Sequence, residues 1–361
     1  MMKAIRKIHY GVGVLCWLSC AGASSAEQTE PSILETAQSV RDSEPKRPAL
    51  TIEARAGEGR FRRTNHLDVR QGDAVQLRVK AVEEASIRWY LIVPDLTQQY
   101  QNANHPWQKN PYRWIGFATI DYYRLELTEL RDRTEVDPIA PLEAARKRIL
   151  EGLSALGRPT EGGRFYYSRF GTFRFQVTVA DERGTRRSAG LEEVSERGLS
   201  PKVFQLNIRT GDTYIGYLRS FHNVPGLFGS VISQSRGRIG ADCADVLMAA
   251  WAEQTRRPLK KNYNVQMLTT KFSAVAEADF RNGAPDTPIA WGTQVLPGDF
   301  IAVSYSEDAK KYHHIGALLA DENGNGILDP EDSILHAGPD PLQETHLSEG
   351  GFDGHVLILR H

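Results

Sequence analysis

Cysteine is scarce in this chain, which has only three among its 361 residues: Cys16, Cys20 and Cys243. An exported scaffold built on disulfides carries its cysteines in pairs and at higher density, so such a scaffold is excluded. Cys16 and Cys20 fall within a predicted export signal, which leaves one thiol in the mature protein. A solitary thiol in an oxidising compartment is either a buried apolar filler or a reactive group. The surroundings of Cys243 therefore decide how the chain is interpreted.

The sequence also lacks a charge excess of one sign and a long apolar run. Lysine plus arginine total 44 against 45 for aspartate plus glutamate, a formal net charge of -1 at pH 7. This balance does not draw the whole molecule to nucleic acid or to an anionic membrane. The most apolar segment, residues 10–20, is shorter than the ~20 residues of a membrane-spanning helix. We therefore expect no nucleic-acid partner and no transmembrane segment in the mature protein.

Residues 1–26 have the pattern of a cleaved signal peptide. Basic residues come first, the apolar stretch follows, and small residues stand at the end: Lys3, Arg6 and Lys7, then Ser24, Ser25 and Ala26. We expect the mature protein to begin near Glu27 and to be periplasmic or secreted. A lipoprotein signal at Cys20 is the weaker interpretation, because Trp17 stands where that signal has a small aliphatic residue.

The length of the chain suits two domains, each large enough to bury its own core. Residues 27–48 are rich in polar residues and have no sustained apolar period, which is typical of a solvated linker. Residues 49–211 show the alternation of apolar and polar residues that marks half-buried strands. Residues 212–361 have a mixed pattern. We predict an α+β protein with a β-sandwich-like domain at 49–211 and a second domain at 212–361.

The sandwich prediction depends on four alternating segments, at Leu67 to Val79, Ile87 to Val93, Phe173 to Val179 and Val203 to Ile208. The third of these resembles the late strands of immunoglobulin-like sandwiches. Residues 96–168 form an insertion in this pattern. The insertion contains aromatic residues that we expect mainly in the core, and a helix predicted from Pro141 to Leu156.

The strongest chemical signal in the sequence surrounds the remaining thiol. Gly240 supplies a turn, Asp242 is a good helix N-cap, and the apolar residues that follow share one helical face. Cys243 is thus expected in the first turn of a buried helix. There the free amide N–H groups and the helix dipole favour a thiolate, although the adjacent Asp242 carboxylate opposes it.

Two histidine-bearing strands follow the predicted helix. Residues 296–299 form a turn before the apolar strand 300–303, and the next strand begins with His313 and His314. A further strand contains His336. One histidine can deprotonate the thiol while the second orients the first ring. Adjacent strand residues face opposite sides of a sheet, so only one of His313 and His314 can face Cys243, and the register favours His314.

The order of these motifs, Asp-Cys, Pro-Gly-Asp, His-Ile-Gly-Ala-Leu-Leu and Ile-Leu-His-Ala, resembles the NlpC/P60 cysteine peptidases of the papain-like superfamily. The resemblance covers residues 212–361. It implies that Cys243 is the nucleophile, His314 the general base and His336 the orienting residue. It also implies a hydrolase that cleaves peptide bonds in the stem peptides of bacterial peptidoglycan, with no cofactor needed for the chemistry.

The sequence leaves two alternatives to hydrolysis open. The family commonly has Asp-Cys-Ser-Gly, whereas Ala244 and Asp245 follow Cys243 here. The same three residues would also serve a transglutaminase-like acyltransferase, in which an amine replaces water. A third interpretation is an inactive papain-like domain in a cell-wall binding protein.

A second motif lies between the two histidine strands. In residues 321–332, oxygen-bearing side chains occupy positions one, three, five, nine and twelve, with a glycine at six and a backbone carbonyl at seven. This spacing matches an EF-hand-type calcium loop and looks most like its dockerin variant. The predicted ligands are Asp321, Asn323, Asn325, the carbonyl of Ile327, Asp329 and Asp332. The alternative is a polar hairpin, because Asn-Gly also forms tight turns.

Overall fold

The alternating segments of the sequence are strands, as predicted, in the computed structural model of this chain. The structure describes residues 33–361 except 44–47, 83, 103–119, 196–197 and 306–310. The predicted signal peptide, with Cys16 and Cys20, lies outside the described residues. The described residues from Ile33 to His361 form one compact unit.

The strands in the N-terminal part are β1 (Glu35–Thr36), β2 (Glu53–Ala56), β3 (Arg62–Arg63), β4 (His66–Arg70), β5 (Val75–Arg78), β6 (Ser86–Pro94), β7 (Tyr100–Gln101), β8 (Tyr122–Glu126), β9 (Glu135–Val136), β10 (Gly171–Asp181), β11 (Gly184–Arg187), β12 (Val194–Ser195), β13 (Gly198–Leu199) and β14 (Phe204–Arg209). The strands in the C-terminal part are β15 (Leu227–Phe228), β16 (Ser273–Arg281), β17 (Ala284–Pro285), β18 (Phe300–Ser304), β19 (His314–Ala320), β20 (Ser333–His336), β21 (Gln343–His346) and β22 (Gly354–Arg360). The α-helices are α1 (Ala37–Ser43), α2 (Leu142–Ala155), α3 (Tyr214–Arg219), α4 (Ile232–Arg236), α5 (Cys243–Thr255) and α6 (Val265–Lys271). Short 3-10 helices span Thr128–Leu130, Thr160–Phe165 and Leu191–Glu193.

Two sheets share one hydrophobic core in the N-terminal part. The larger has the strand order β1-β8-β6-β10-β14-β4, with β11 added beside β10, and the smaller has the order β3-β2-β5-β9. Pairing is antiparallel except between β14 and β4, which run parallel. Trp89 and Phe175 from the first sheet and Leu77 from the second are fully buried in this core. Their alternation along each strand is what places them on the inner face.

Helix α2 confirms the helix predicted within the insertion, one residue shorter at each end. Its buried face, which includes Leu142, Ala145, Ile149 and Leu153, packs into the same core. The segment predicted as a linker, 27–48, is ordered in the part that the structure describes. β1 pairs with β8, and Leu34 and Val40 are buried. These two apolar residues are too far apart to form a periodic pattern, yet they bury enough surface to hold the segment against the fold.

The C-terminal part is built on one antiparallel sheet in the order β17-β16-β22-β18-β19-β20-β21. Helices α3 and α5 cover one face, where Phe300, Ala302 and Ile315 meet the buried side of α5. The other face packs Val303 and Phe352 into a separate cluster. The chain as a whole is therefore of the α+β class. No helix in the described part of the chain is long and apolar enough to cross a membrane.

The two parts interlock through the insertion. β7 runs parallel to β15, pairing Tyr100 with Leu227 and Gln101 with Phe228. Just beyond it, the Asn102 amide donates to the carbonyl of Gly229 at 2.8 Å. The loop that precedes α5 is thus fixed in place by a strand from the N-terminal part.

Candidate active site

Helix α5 begins at Cys243 because the preceding residue caps it. Asp242 has an extended backbone, and its carboxylate accepts a hydrogen bond from the N–H of Asp245 at 2.9 Å. This satisfies one of the first-turn N–H groups that lack an intrahelical acceptor. The apolar residues Ala244, Leu247 and Met248 then anchor the helix in the core. The thiol of Cys243, half-buried, is held at the helix start, as predicted.

The thiol lies against the strand that carries the first histidine. The N–H groups of Ile315 in β19 and of Ala244 lie near the Cys243 sulfur and favour its thiolate. Burial and the neighbouring Asp242 carboxylate outweigh these donors and raise the pKa of the Cys243 thiol. The resting site therefore holds a neutral thiol rather than the thiolate that a helix N-terminus alone favours.

Asp245, where NlpC/P60 enzymes commonly have glycine, is buried in the first turn of α5. One of its oxygens accepts from the Ser230 hydroxyl at 2.7 Å, and the other has no hydrogen-bond partner in the described part of the chain. Burial and the nearby Asp242 raise the pKa of Asp245 well above its ordinary value, while burial raises the pKa of Asp242 to about 6. Two carboxyls this close disfavour double ionisation, so one of them retains a proton near neutral pH.

The strand register brings His314 and His336 together. Gly316 in β19 is opposite His336 in β20, so His314, two residues earlier, lies on the same face of the sheet. Nε2 of His314 and Nδ1 of His336 share a hydrogen bond of 3.1 Å, and the rings meet edge to face. Nε2 of His336 is in turn 3.0 Å from the Thr345 hydroxyl on β21. This chain of hydrogen bonds fixes the orientation of both rings.

The absence of a side chain at Gly316 leaves room for the two imidazoles. A Cβ on Gly316 would lie 3.0 Å from the Cβ of His336 and 3.1 Å from the ring of Phe352. The Phe352 ring contacts both imidazoles, with centroid distances of 5.1 Å to His314 and 5.8 Å to His336. Burial, together with the second ring, lowers the pKa of His314 to about 3, and burial lowers the pKa of His336 to about 4. Both imidazoles are therefore neutral at pH 7 and able to accept a proton.

His313, the rival base, lies on the other side of the strand. Its exposed ring stacks on Tyr305 with a centroid distance of 5.7 Å, and its Nδ1 accepts from the Tyr305 N–H at 3.3 Å. The structure thus brings His314 and His336 together and leaves His313 outside this pair, while Cys243 opens the helix that packs against the Ile315 face of β19. The separation follows from the alternation of side chains along β19.

Three neighbours of the site were not found from the sequence. The Tyr305 hydroxyl donates to the Gly351 carbonyl at 2.7 Å, and burial, with a smaller effect of the nearby Cys243, raises the pKa of Tyr305 to about 12. Phe352 and Thr345 come from segments without a motif. A usable signal existed only for Tyr305, an aromatic residue placed directly after β18. Gly338 also borders the nucleophile, since a Cβ there would lie 3.6 Å from the Cys243 nitrogen.

The loop 321–332 connects β19 to β20 and folds around its own polar side chains. The Asp321 carboxylate accepts from the N–H groups of Asn325 and Gly326, at 3.2 and 2.8 Å. The amides of Asn323 and Asn325 both donate to one oxygen of Asp329, at 2.8 and 2.6 Å. Positions three, five and nine of the predicted calcium loop therefore converge.

The last predicted ligand, Asp332, faces inward. One of its oxygens accepts from the Trp291 indole at 2.6 Å and from the Asp329 N–H at 2.8 Å. Ile327, whose backbone carbonyl is a predicted ligand, forms a β-bridge with Ala290. In the described residues, no group of three or more His, Cys, Asp or Glu side chains is arranged to hold a metal ion. Any cation here would depend on the asparagine and backbone oxygens as well.

No protein-family model, curated protein or solved structure gives a significant match to this chain. The resemblance of residues 212–361 to NlpC/P60 enzymes accordingly depends on the ordered motifs alone.

Proposed function

We propose that this protein is an exported cysteine hydrolase of the NlpC/P60 type that cleaves amide bonds. The observation that supports it most is the 3.1 Å hydrogen bond between His314 and His336, on strands of the sheet against which the helix opened by Cys243 packs. Mutually hydrogen-bonded neutral imidazoles, together with a thiol at the start of a helix on the same sheet, are suited to nucleophilic catalysis. The fold that goes with this proposal is an immunoglobulin-like sandwich followed by a papain-like domain, with the boundary near residue 211.

The protonation states indicate how the first step proceeds. With a neutral thiol and a neutral imidazole at rest, the proton of Cys243 passes to His314 as the sulfur attacks the amide carbonyl carbon. The resulting oxyanion needs a donor. The Cys243 N–H has no acceptor in the described chain and borders the space beside Gly338, so it can supply one.

The remaining steps return the site to its resting state. The imidazolium of His314 gives its proton to the leaving nitrogen, the carbon–nitrogen bond breaks, and a thioester remains on Cys243. His314 then takes a proton from water, whose oxygen attacks the thioester carbon. The sulfur leaves, regains a proton from His314, and a carboxylic acid is released. His336 stabilises the imidazolium that forms in each half-reaction by accepting the hydrogen bond from His314.

The substrate class comes from the resemblance and from the predicted export signal. An exported enzyme of this type acts on peptidoglycan stem peptides in the periplasm or outside the cell. The two alternatives, transfer of the acyl group to an amine and binding without chemistry, use the same three residues. The N-terminal sandwich is then a positioning or cell-wall binding domain.

We also propose that the loop 321–332 binds calcium as a structural ion. The converging side chains of Asn323, Asn325 and Asp329, with Asp321 beside them, provide the hard oxygen ligands that calcium prefers. Binding requires both asparagine amides to turn their oxygens inward, where their nitrogens now point. Asp332 is already engaged by Trp291 and anchors the loop. The ion supplies no chemistry; it would stiffen the connection between the strands of His314 and His336.

The deciding experiment for the hydrolase is incubation of the mature protein with purified peptidoglycan, followed by mass spectrometry of the soluble products. Hydrolysis releases peptides with new amine termini, and Cys243→Ala releases none. New cross-links in place of new termini would reassign the enzyme as an acyltransferase. Sedimentation with peptidoglycan and no products from either protein would leave only the binding function.

Calcium binding is tested separately by calorimetric titration of metal-stripped protein. We expect a single site, and its loss in Asp321→Ala combined with Asp329→Ala. Absence of heat at millimolar calcium would make the loop an ordinary polar hairpin.

A further inference from the structure

A second cavity lies between the two parts of the molecule, away from the thiol. It has a volume of about 740 Å³ and is bounded by β4, β10 and β14 on one side and by α4 and α5 on the other. It borders the later turns of α5, at Ala249, Ala252 and Glu253, whereas Cys243 opens that helix. The cavity is therefore separate from the candidate active site.

Arginine dominates the charged residues that line this cavity: Arg174, Arg209, Arg236, Arg238, Arg256 and Arg257. The lining includes only two acidic residues, Asp68 and Glu253. Arg238 is fully buried and pairs with Glu253 at 2.7 Å, and Arg209 pairs with Asp212 at 3.1 Å. Arg236, Arg256 and Arg257 are exposed and form no ion pair in the described chain. Positive charge is therefore in excess.

The fold itself gives no reason for the buried positive charge of Arg174. It is 4% exposed, and its guanidinium makes one hydrogen bond, to the backbone carbonyl of Arg238. Its titratable neighbours are the neutral Tyr122 hydroxyl and the Arg238 guanidinium. No carboxylate in the described part of the chain pairs with it. A buried cation without an anion is unfavourable, and burial lowers the pKa of Arg174 accordingly.

The other arginines are only partly explained by the fold. Arg256 and Arg257 follow the end of α5, where cations complement the helix dipole. That reason does not apply to Arg174 in β10, which belongs to a different element. Cations from β10, α4 and the end of α5 nevertheless face one cavity. Convergence of guanidinium groups from separate elements is how proteins recognise phosphate and carboxylate groups.

We propose that this cavity binds a small polyanion carrying phosphate or carboxylate groups, with Arg174 at its base and Arg236, Arg256 and Arg257 at its rim. The volume lies within the range of small-molecule sites, roughly 300–1,000 Å³. The bound anion gives Arg174 the partner that the protein does not. This site does not depend on the hydrolase activity and uses none of its residues.

The test is calorimetric titration of the full-length mature protein with pyrophosphate and, separately, with citrate, in metal-free buffer at low ionic strength. At least one of the two anions is expected to bind at one site per chain. The double variant Arg256→Gln and Arg257→Gln removes exposed rim charges without disturbing the core. It should weaken binding at least about tenfold, because charge-assisted hydrogen bonds are lost.

Arg281→Gln is the matched control, since Arg281 is exposed on β16 and forms no ion pair in the described chain. It should bind like the unaltered protein. Arg174→Gln should abolish binding, and circular dichroism verifies that it folds. The proposal is overturned if neither anion binds at millimolar concentration, or if the rim variant and the control bind equally.

Discussion

Replacing the proposed base, His314→Gln, separates two models of the resting site. A preformed thiolate–imidazolium pair would need a protonated His314 at pH 7, whereas burial lowers the pKa of this residue to about 3. An ordinary thiol is a few per cent ionised at pH 7, and Cys243, with its raised pKa, should be ionised less. The structure therefore predicts a neutral pair in which His314 acts only when substrate is attacked.

The rates of hydrolysis and of Cys243 alkylation should respond differently to His314→Gln. Hydrolysis should fall by about 10²- to 10⁴-fold, the usual contribution of a general base. Alkylation of Cys243 by iodoacetamide at pH 7 should stay close to the unaltered rate, because His314 carries no charge that stabilises the thiolate. If the imidazolium were present, its removal would raise the thiol pKa by about 1–3 units and slow alkylation about 10- to 1,000-fold. If hydrolysis and alkylation slow to a similar extent, the model of a neutral thiol and a neutral imidazole is refuted.

The dependence of the free energy of unfolding on pH tests the neutral state of His314 independently. His314 is protonated in the unfolded chain below about pH 6.5 but stays neutral in the fold down to about 3. The fold is therefore penalised as pH falls through this window, by about 2 kcal/mol at pH 5 for this residue. His314→Gln removes that penalty, so its stability relative to the unaltered protein should improve by this amount between pH 7 and pH 5. Urea unfolding measures it, with His313→Gln as the exposed control.

Three further outcomes follow from the site. Cys243→Ala should unfold at nearly the same temperature as the unaltered protein and release no peptides from peptidoglycan, since only the thiol is removed from a half-buried position. His336→Gln should reduce the hydrolysis rate by about 10- to 100-fold, because the hydrogen bond to the His314 imidazolium is charge-assisted and worth about 1.5–3 kcal/mol; a loss equal to that of His314→Gln would make His336 a direct participant. Calcium at about one hundred times its Kd should stabilise the fold by about 2.7 kcal/mol in thermal denaturation, and Asp321→Ala should lose this effect.

Features encoded in neighbouring residues could be predicted from the sequence. The alternation around Trp89 and Phe175 gave strands β6 and β10, and Asp242 followed by an apolar face gave the start of α5. That His313 and His314 point away from each other also followed from local alternation, since one ring stacks on Tyr305 and the other contacts Phe352. Each of these depends on periodicity, which a short segment displays by itself.

Features that depend on distant pairing could not be predicted. The parallel contact of β4 with β14 and the burial of Leu34 and Val40 involve segments with no local signal. The effect of Asp245 was equally hidden, because a carboxyl in a first helical turn is usually exposed and favourable there. Only the three-dimensional surroundings reveal that it is enclosed beside a second carboxyl.

The pairing of β7 with β15 links the start of the Cys243 helix to a distant part of the chain. The Ser230 hydroxyl, just after β15, accepts from the N–H of Asp242 at 3.0 Å and donates to Asp245 at 2.7 Å, which ties this loop to the start of the helix of Cys243. β7 and Asn102 fix that loop from the N-terminal part. Residues 212–361 expressed alone would therefore lack the contacts with β7 and Asn102 that help to position Cys243. Insertions or deletions near residues 96–102 should therefore alter the proposed hydrolysis, although none of the proposed catalytic residues lies there.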